Sequence, residues 1–332
     1  MKSAGRPIPV REGIGREPEH IASVLLNTGA GDGRAGEAAT LRQIRESFAS
    51  HGWTTEITCI PAQRFTTEAP MRVRDARGVV VAAGGDGTFN VLANACRTHH
   101  RPVGLLALGN SNLAARALGL EPGVENAAAN IAGGQPEDVR YAELNGRMFL
   151  SSALFGLYPA LIAPRRHVKS GVGDRAAALA SGLRMLVRSN APFDAMLEAT
   201  ADAGTATIGD RVRSTTLQVA LNIAPAGSTD PVVQACIERG ELALTGLARY
   251  TRWPTVNALL AAALGTQEPA PGGGGIAACG SRIVVHTRRK QVPVSLDGDW
   301  RSMEPPLEFR VRVGGLQVVR LPRLDPASSE VT

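Results

Sequence analysis

Aromatic residues make up only 4% of this chain. They nowhere interleave with basic residues, so the stacking platforms that single-stranded nucleic acid requires are missing, and nucleic acid is not an expected partner. No apolar run is long enough to span a bilayer. The opening MKSAGRPIPVREGIGREPEH has no apolar core of the kind that marks a secretion signal. Cysteines are few: Cys59, Cys96, Cys236 and Cys279, far apart and without CxxC spacing. That pattern fits neither a zinc site nor a disulfide framework, and it points to a reducing, cytoplasmic compartment. No GxxxxGK[ST] occurs, which excludes a Walker-type phosphate loop. Charge is nearly balanced, with 36 Lys and Arg against 30 Asp and Glu, net +6. This suits an anionic ligand or surface without specifying either.

What is present is a repeated order of strand, polar loop and helix. At 332 residues the chain is long enough for two domains. Its most informative stretch is Val79–Asn90, VVVAAGGDGTFN. Val79–Ala83 reads as a buried strand, and Val91, Leu92, Ala95 and Cys96 recur at helical spacing. Gly84, Gly85 and Gly87 therefore fall where a strand ends and a helix begins, with Thr88 placed to cap that helix. Glycines there admit an anion close to the backbone N–H groups, and the helix field favours negative charge. Asp86 would repel a phosphate unless a divalent cation lies between them. The plainer alternative is a tight turn with a solvated Asp.

Ile21–Asn27, Trp53–Ile60 and Pro102–Leu108 read as further strands, and Thr40–Ser50 as an amphipathic helix after a glycine loop. The alternation predicts a doubly wound parallel α/β sheet, with ligands at the carboxyl ends of its strands. Gly31–Gly36 matches GxGxxG with Glu56 downstream, but the glycines start too far beyond the strand for the tight turn of a dinucleotide site. After Gly133-Gly134-Gln135-Pro136 the pattern becomes mostly antiparallel β. Val139–Leu144 and Arg147–Ala153 form two strands joined at Asn145-Gly146. Helices are expected at Arg175–Arg188 and Thr255–Leu264. The expected organisation is an arm (1–19), an α/β domain (20–138), a β domain (139–314), a segment 315–324 returning to the first domain, and a tail (325–332).

Asp297-Gly298-Asp299 follows the strand Val292–Leu296. It reads either as an ordinary hairpin turn or as two carboxylates on one tip, one accepting a proton and the other contacting a cation. The basic runs Pro164–Lys169 and Arg288-Arg289-Lys290 read either as solvated faces or as a surface for anionic lipid head groups.

Together, GGDGTFN at Gly84–Asn90 and LGNSNLAARALG at Leu108–Gly119 resemble the diacylglycerol kinase catalytic family, which includes sphingosine kinases and bacterial lipid kinases. Asn27-Thr28-Gly29 looks like that family's first nucleotide loop, and Leu296–Asp299 like its late acidic motif. The resemblance implies an α/β domain that holds ATP and Mg²⁺ and a C-terminal antiparallel β-sandwich that holds a lipid. It implies transfer of phosphate to a lipid hydroxyl at a membrane surface, by an enzyme peripherally associated with that membrane. Nucleotide contacts would come from Asn27, Thr28, Gly29, Thr58, Gly84, Gly85, Asp86, Gly87, Thr88, Phe89, Asn90, Asn110 and Asn112. Asp299 would be the proton acceptor, with Asp297 and Asp86 as catalytic partners and candidate metal ligands. The chain departs from the pattern at Thr28 for Pro, Asn110-Ser111 for Thr-Gly, Leu113 for Asp and Asp299 for Glu. Arg239 stands where many bacterial members carry an acidic metal ligand. Two other readings stay open: an NAD kinase-like enzyme, and a catalytically weak nucleotide- or lipid-binding protein. A homodimer is also left open.

Overall fold

The computed structural model describes residues 20–28, 34–156, 193–200, 206–214, 216–222, 230–246 and 276–322. The helices expected at 175–188 and 255–264, the basic run 164–169, Gly29 and both termini lie outside these residues.

The first sheet is built around β1 (Ile21–Asn27), β2 (Thr54–Ile60), β3 (Val79–Gly84) and β4 (Val103–Ala107), which pair in parallel. Its order is β2-β1-β3-β4-β18-β5, with β5 at Gln135–Asp138 and β18 at Gln317–Arg320. β1, β3 and β4 are apolar nearly throughout because helices cover both faces. On one face Ile44 and Phe48 of α1 (Arg34–Ala49) pack with Val124, Ala127 and Ile131 of α5 (Val124–Gly133). The other face is covered by α2 (Ala62–Val73), α3 (Asp86–Thr98) and α4 (Leu113–Leu118), through Phe65, Phe89, Leu92, Cys96 and Leu118. Helix α1 starts at Arg34, inside the stretch read from sequence as loop, and α5 was not anticipated.

Two antiparallel sheets follow. The second has the order β10-β9-β14-β17-β6-β7 and the third β13-β12-β11-β8-β15-β16. Their strands are β6 (Tyr141–Leu144), β7 (Arg147–Phe149), β8 (Ser152–Gly156), β9 (Phe193–Thr200), β10 (Ala206–Ser214), β11 (Thr216–Ala220), β12 (Leu242–Gly246), β13 (Ile276–Gly280), β14 (Arg282–Thr287), β15 (Val292–Leu296), β16 (Asp299–Met303) and β17 (Leu307–Arg312). Leu144, Leu197, Ile283 and Phe309 of one sheet share a buried core with Phe155, Val219, Leu244 and Val294 of the other. The sheets therefore pack face to face.

The strand expected over Arg147–Ala153 is broken. β7 belongs to the second sheet and β8 to the third, and Leu150-Ser151 is the crossing point. A short helix, α6 (Pro231–Glu238), capped by the Asp230 side chain on Val232 N, packs on the third sheet through Val233, Cys236 and Ile237. The cysteine reading is corrected here: Cys236 and Cys279 form a disulfide, and only Cys59 and Cys96 are free thiols. Separated by 43 residues, the two carry no local signal, and packing of α6 beside β13 brings them together. Cysteine usage therefore gives no support to a reducing compartment. Among the described residues, no helix is long and apolar enough to cross a membrane.

Candidate active site

The β3–α3 turn is shaped by close backbone approaches. A Cβ on Gly84 would meet the Thr88 hydroxyl at 2.5 Å, and one on Gly109 would meet Gly85 Cα at 2.7 Å. The glycine turns after β3 and β4 are thus pressed together, and Leu108 N donates to Gly84 O at 2.9 Å. Gly85, not Thr88, occupies the N-cap position of α3. Thr88 lies within the helix, buried, and its hydroxyl accepts a bond from Asn27 Nδ2 at 2.9 Å. Asn27 is the last residue of β1, so this bond fixes the end of one strand against the head of α3. Thr28 N donates to Ile60 O, and Thr58 pairs in register with Leu25, which places it on the face shared by Asn27 and α3.

Asp86 heads α3 and accepts a bond from Ala114 N, at the start of α4, at 2.8 Å. Asn112 takes the left-handed conformation (φ 47°) and its Oδ1 accepts from Gly109 N at 3.0 Å. These two side chains hold the β4–α4 turn in place, and Asn110 is exposed on that turn. Gly87 differs from Gly84, Gly85 and Gly109, because a Cβ there would meet nothing within 4 Å. No protein atom demands glycine at 87, and the residue leaves open space at a helix head, where backbone N–H groups lack intrahelical acceptors.

Asp297 reaches this helix from the far side of the fold. It and Gly298 both have positive φ, 44° and 85°, as the tight two-residue turn from β15 to β16 requires. Asp297 is 3% exposed. Its Oδ1 accepts from Ser151 N (2.8 Å), Ser151 Oγ (2.6 Å) and Ser152 N (3.0 Å). Its Oδ2 accepts from Leu150 N (2.7 Å) and from Asn90 Nδ2 of α3 (3.3 Å). A carboxylate offers about four lone-pair sites. Five donors therefore leave Asp297 no capacity for a metal, and the expectation of a metal ligand there is corrected to a structural anchor. Asp299 is part-exposed and paired with Arg301 Nη2 at 2.8 Å. Phe89, buried on the sheet side of α3, is core and makes no part of an open cleft.

Sequence reading missed Ser151 and Arg301. Arg301 has a local signal, since residues two apart on a strand share a face. Ser151 has none, because its partner is 146 residues away.

Residues 22–144 match the family model of the diacylglycerol kinase catalytic domain. The likeness to that family is carried by this segment of the chain. A diacylglycerol kinase of Bacillus subtilis (strain 168) is 32% identical over 120 residues, 34% of this chain and 39% of that protein. One from Staphylococcus saprophyticus is 34% identical over 93 residues, 27% of this chain and 30% of that protein. The chain thus spans under two fifths of the length of these curated relatives. The fold likeness is broader. The crystal structure of a diacylglycerol kinase from Bacillus anthracis str. Sterne aligns over 95% of this chain and 100% of its own, with TM-score 0.59 at 18% identity. The site described above joins the family-matching segment, through Asn90, to an acidic turn outside it.

Proposed function

We propose that the protein is a lipid kinase that transfers the γ-phosphate of ATP to a lipid hydroxyl, on a diacylglycerol or a sphingoid-like lipid. The observation that carries this reading is the Asn90–Asp297 bond, which sets the GGDGTFN helix and the Asp297–Asp299 turn against each other. Phosphoryl transfer asks mainly for alignment and charge neutralisation. The open space at Gly87, beside the N-terminus of α3, fits a phosphate group. Asn27 and Thr88, bonded to each other, stand at the same strand ends, and Asp86 is the acid assigned to the metal–phosphate complex. Mg²⁺, when bound, would supply neutralisation of the phosphate charge. Asp299 accepts the proton of the lipid hydroxyl, and Arg301 fixes the direction of its carboxylate. Asp297 holds the turn that presents Asp299.

Gly87→Ala separates the two roles of that glycine. With no packing conflict, alanine is expected to raise stability by up to about 1 kcal/mol, since glycine is a poor helix former. Its methyl would intrude on the phosphate, so ATP binding is expected to weaken. Thermal melts and calorimetric ATP titration read the two effects.

We assign the membrane contact to the turn between β14 and β15. Arg288, Arg289 and Lys290 line an open groove of about 480 Å³ with His286, Glu304 and Pro306. Each cation near an anionic surface contributes about 1 kcal/mol. Replacing Arg288 and Lys290 by Gln is expected to weaken binding to anionic vesicles by about 2 kcal/mol, roughly 30-fold. Sedimentation with vesicles measures this, and neutral vesicles should show no difference.

The function is tested by incubating the purified chain with labelled ATP and Mg²⁺, in parallel with lipid extract and with NAD. A labelled lipid supports it. Labelled NAD without labelled lipid points instead to the NAD kinase-like reading, and ATP binding without transfer to a catalytically weak binder.

A further inference from the structure

The disulfide Cys236–Cys279 lies in a small apolar cluster with Ala220, Val233, Ile237 and Ala243. Ala220 ends β11, and the next two residues continue straight into the support of Asp297. Leu221 N donates to Ser151 O at 2.8 Å. Asn222 Nδ2 donates to Leu150 O at 2.9 Å. Leu150 and Ser151 are the residues whose amides hold the Asp297 carboxylate. An unbroken series of contacts therefore runs from the disulfide, through the end of β11, to the loop that grips the acidic turn.

The chemistry around the sulfurs is asymmetric. Cys236 is completely buried, whereas Cys279 is half-buried. The Arg239 guanidinium lies 3.3 Å from Cys279 Sγ and 3.7 Å from Cys236 Sγ. It is held there by Glu241 at 2.8 Å, whose carboxylate oxygen also lies 3.2 Å from Cys279 Sγ. The guanidinium and the Glu241 carboxylate offset each other at Cys279 Sγ, which is set apart as the solvent-reachable sulfur of the pair. The remaining cysteines lack this environment. Burial pushes the Cys96 thiol up to about 12, and burial together with Glu37 raises that of Cys59.

We propose that Cys236 and Cys279 are a reversible thiol–disulfide site that sets how firmly residues 150–152 hold Asp297. In the closing direction the Cys279 thiolate attacks one sulfur of a low-molecular-weight disulfide, forming a mixed disulfide and releasing one thiolate. Cys236 then loses its proton and attacks Cys279 Sγ, releasing the second. Two protein thiols are oxidised as the small disulfide is reduced to two thiols. The closed pair ties α6 to β13 and fixes the cluster beneath Ala220. The open pair removes that covalent tie and leaves the apolar cluster in its place.

The experiment uses the full chain, equilibrated in buffers of graded oxidised-to-reduced dithiothreitol ratio, then denatured, alkylated and weighed. The oxidised chain should show two alkylated cysteines, Cys59 and Cys96, and the reduced chain all four. Amide hydrogen exchange at Leu150, Ser151 and Ser152 is followed in the same samples. Opening the pair is expected to speed exchange there by about 5–150-fold, the range of ordinary coupling energies, with the same midpoint as the thiol titration. Lipid phosphorylation should fall along that curve, and this last arm alone rests on the proposed function. Unchanged exchange at 150–152 across the thiol transition overturns the proposal, as does a pair that stays reduced throughout. Accelerated exchange in a chain that phosphorylates no lipid upholds the switch and removes the kinase reading instead.

Discussion

Asp297→Asn is expected to lower stability by about 3–5 kcal/mol, at the upper end for a single substitution. The carboxylate is buried and gathers three backbone amides, one hydroxyl and the Asn90 amide. An amide keeps only one acceptor oxygen, and its NH₂ group faces donors. Bonds to a charged group contribute about 1.5–3 kcal/mol each, and a stranded buried donor costs about 1–3 kcal/mol. The loss is capped because the loop can relax toward water. A melting temperature lowered by roughly 4–7 °C is the corresponding shift for a chain of this size. A change below 1 kcal/mol would mean that the crossing between the second and third sheets is held by something else. The variant should also lose activity, because the turn that presents Asp299 is no longer fixed.

Asp299→Asn should behave in the opposite way, with stability kept and transfer lost. Asp299 is part-exposed, and an asparagine oxygen can still accept from Arg301. A positioned base contributes about 10²–10⁴-fold to proton transfer, and kcat is expected to fall by that factor. ATP affinity should stay within about twofold, since Asp299 lies on the turn and not in the glycine cradle. Steady-state kinetics with lipid, set beside calorimetric ATP binding, checks both halves. An unchanged kcat would reassign the proton acceptor.

The parts of the fold that could be read in advance rest on local signals. The strand-turn-helix at Val79–Asn90 shows in its apolar run, its glycines and its helical spacing, all within one stretch of chain. Asn145-Gly146 marked its hairpin for the same reason, with both residues at positive φ. The break at Leu150-Ser151 was not readable. An apolar-polar run there looks like continuous strand, and the carboxylate that bends it is 147 residues from Leu150. The disulfide and α6 were missed on similar grounds, because each is defined by what it packs against. Thr88 shows the limit of a local rule: read as a cap for its helix, its hydroxyl instead accepts from the distant Asn27.

β18 is the last described strand, yet it sits inside the first sheet, between β4 and β5, with Val318 and Val319 buried. During synthesis, residues 22–144 emerge long before it and meet a sheet with an open flank at Val103, the β4 residue that pairs with Val318. Such an unpaired edge invites association with other chains. Expressed as a fragment, the family-matching segment should therefore aggregate, and its solubility should return when a peptide carrying Gln317–Arg320 is supplied.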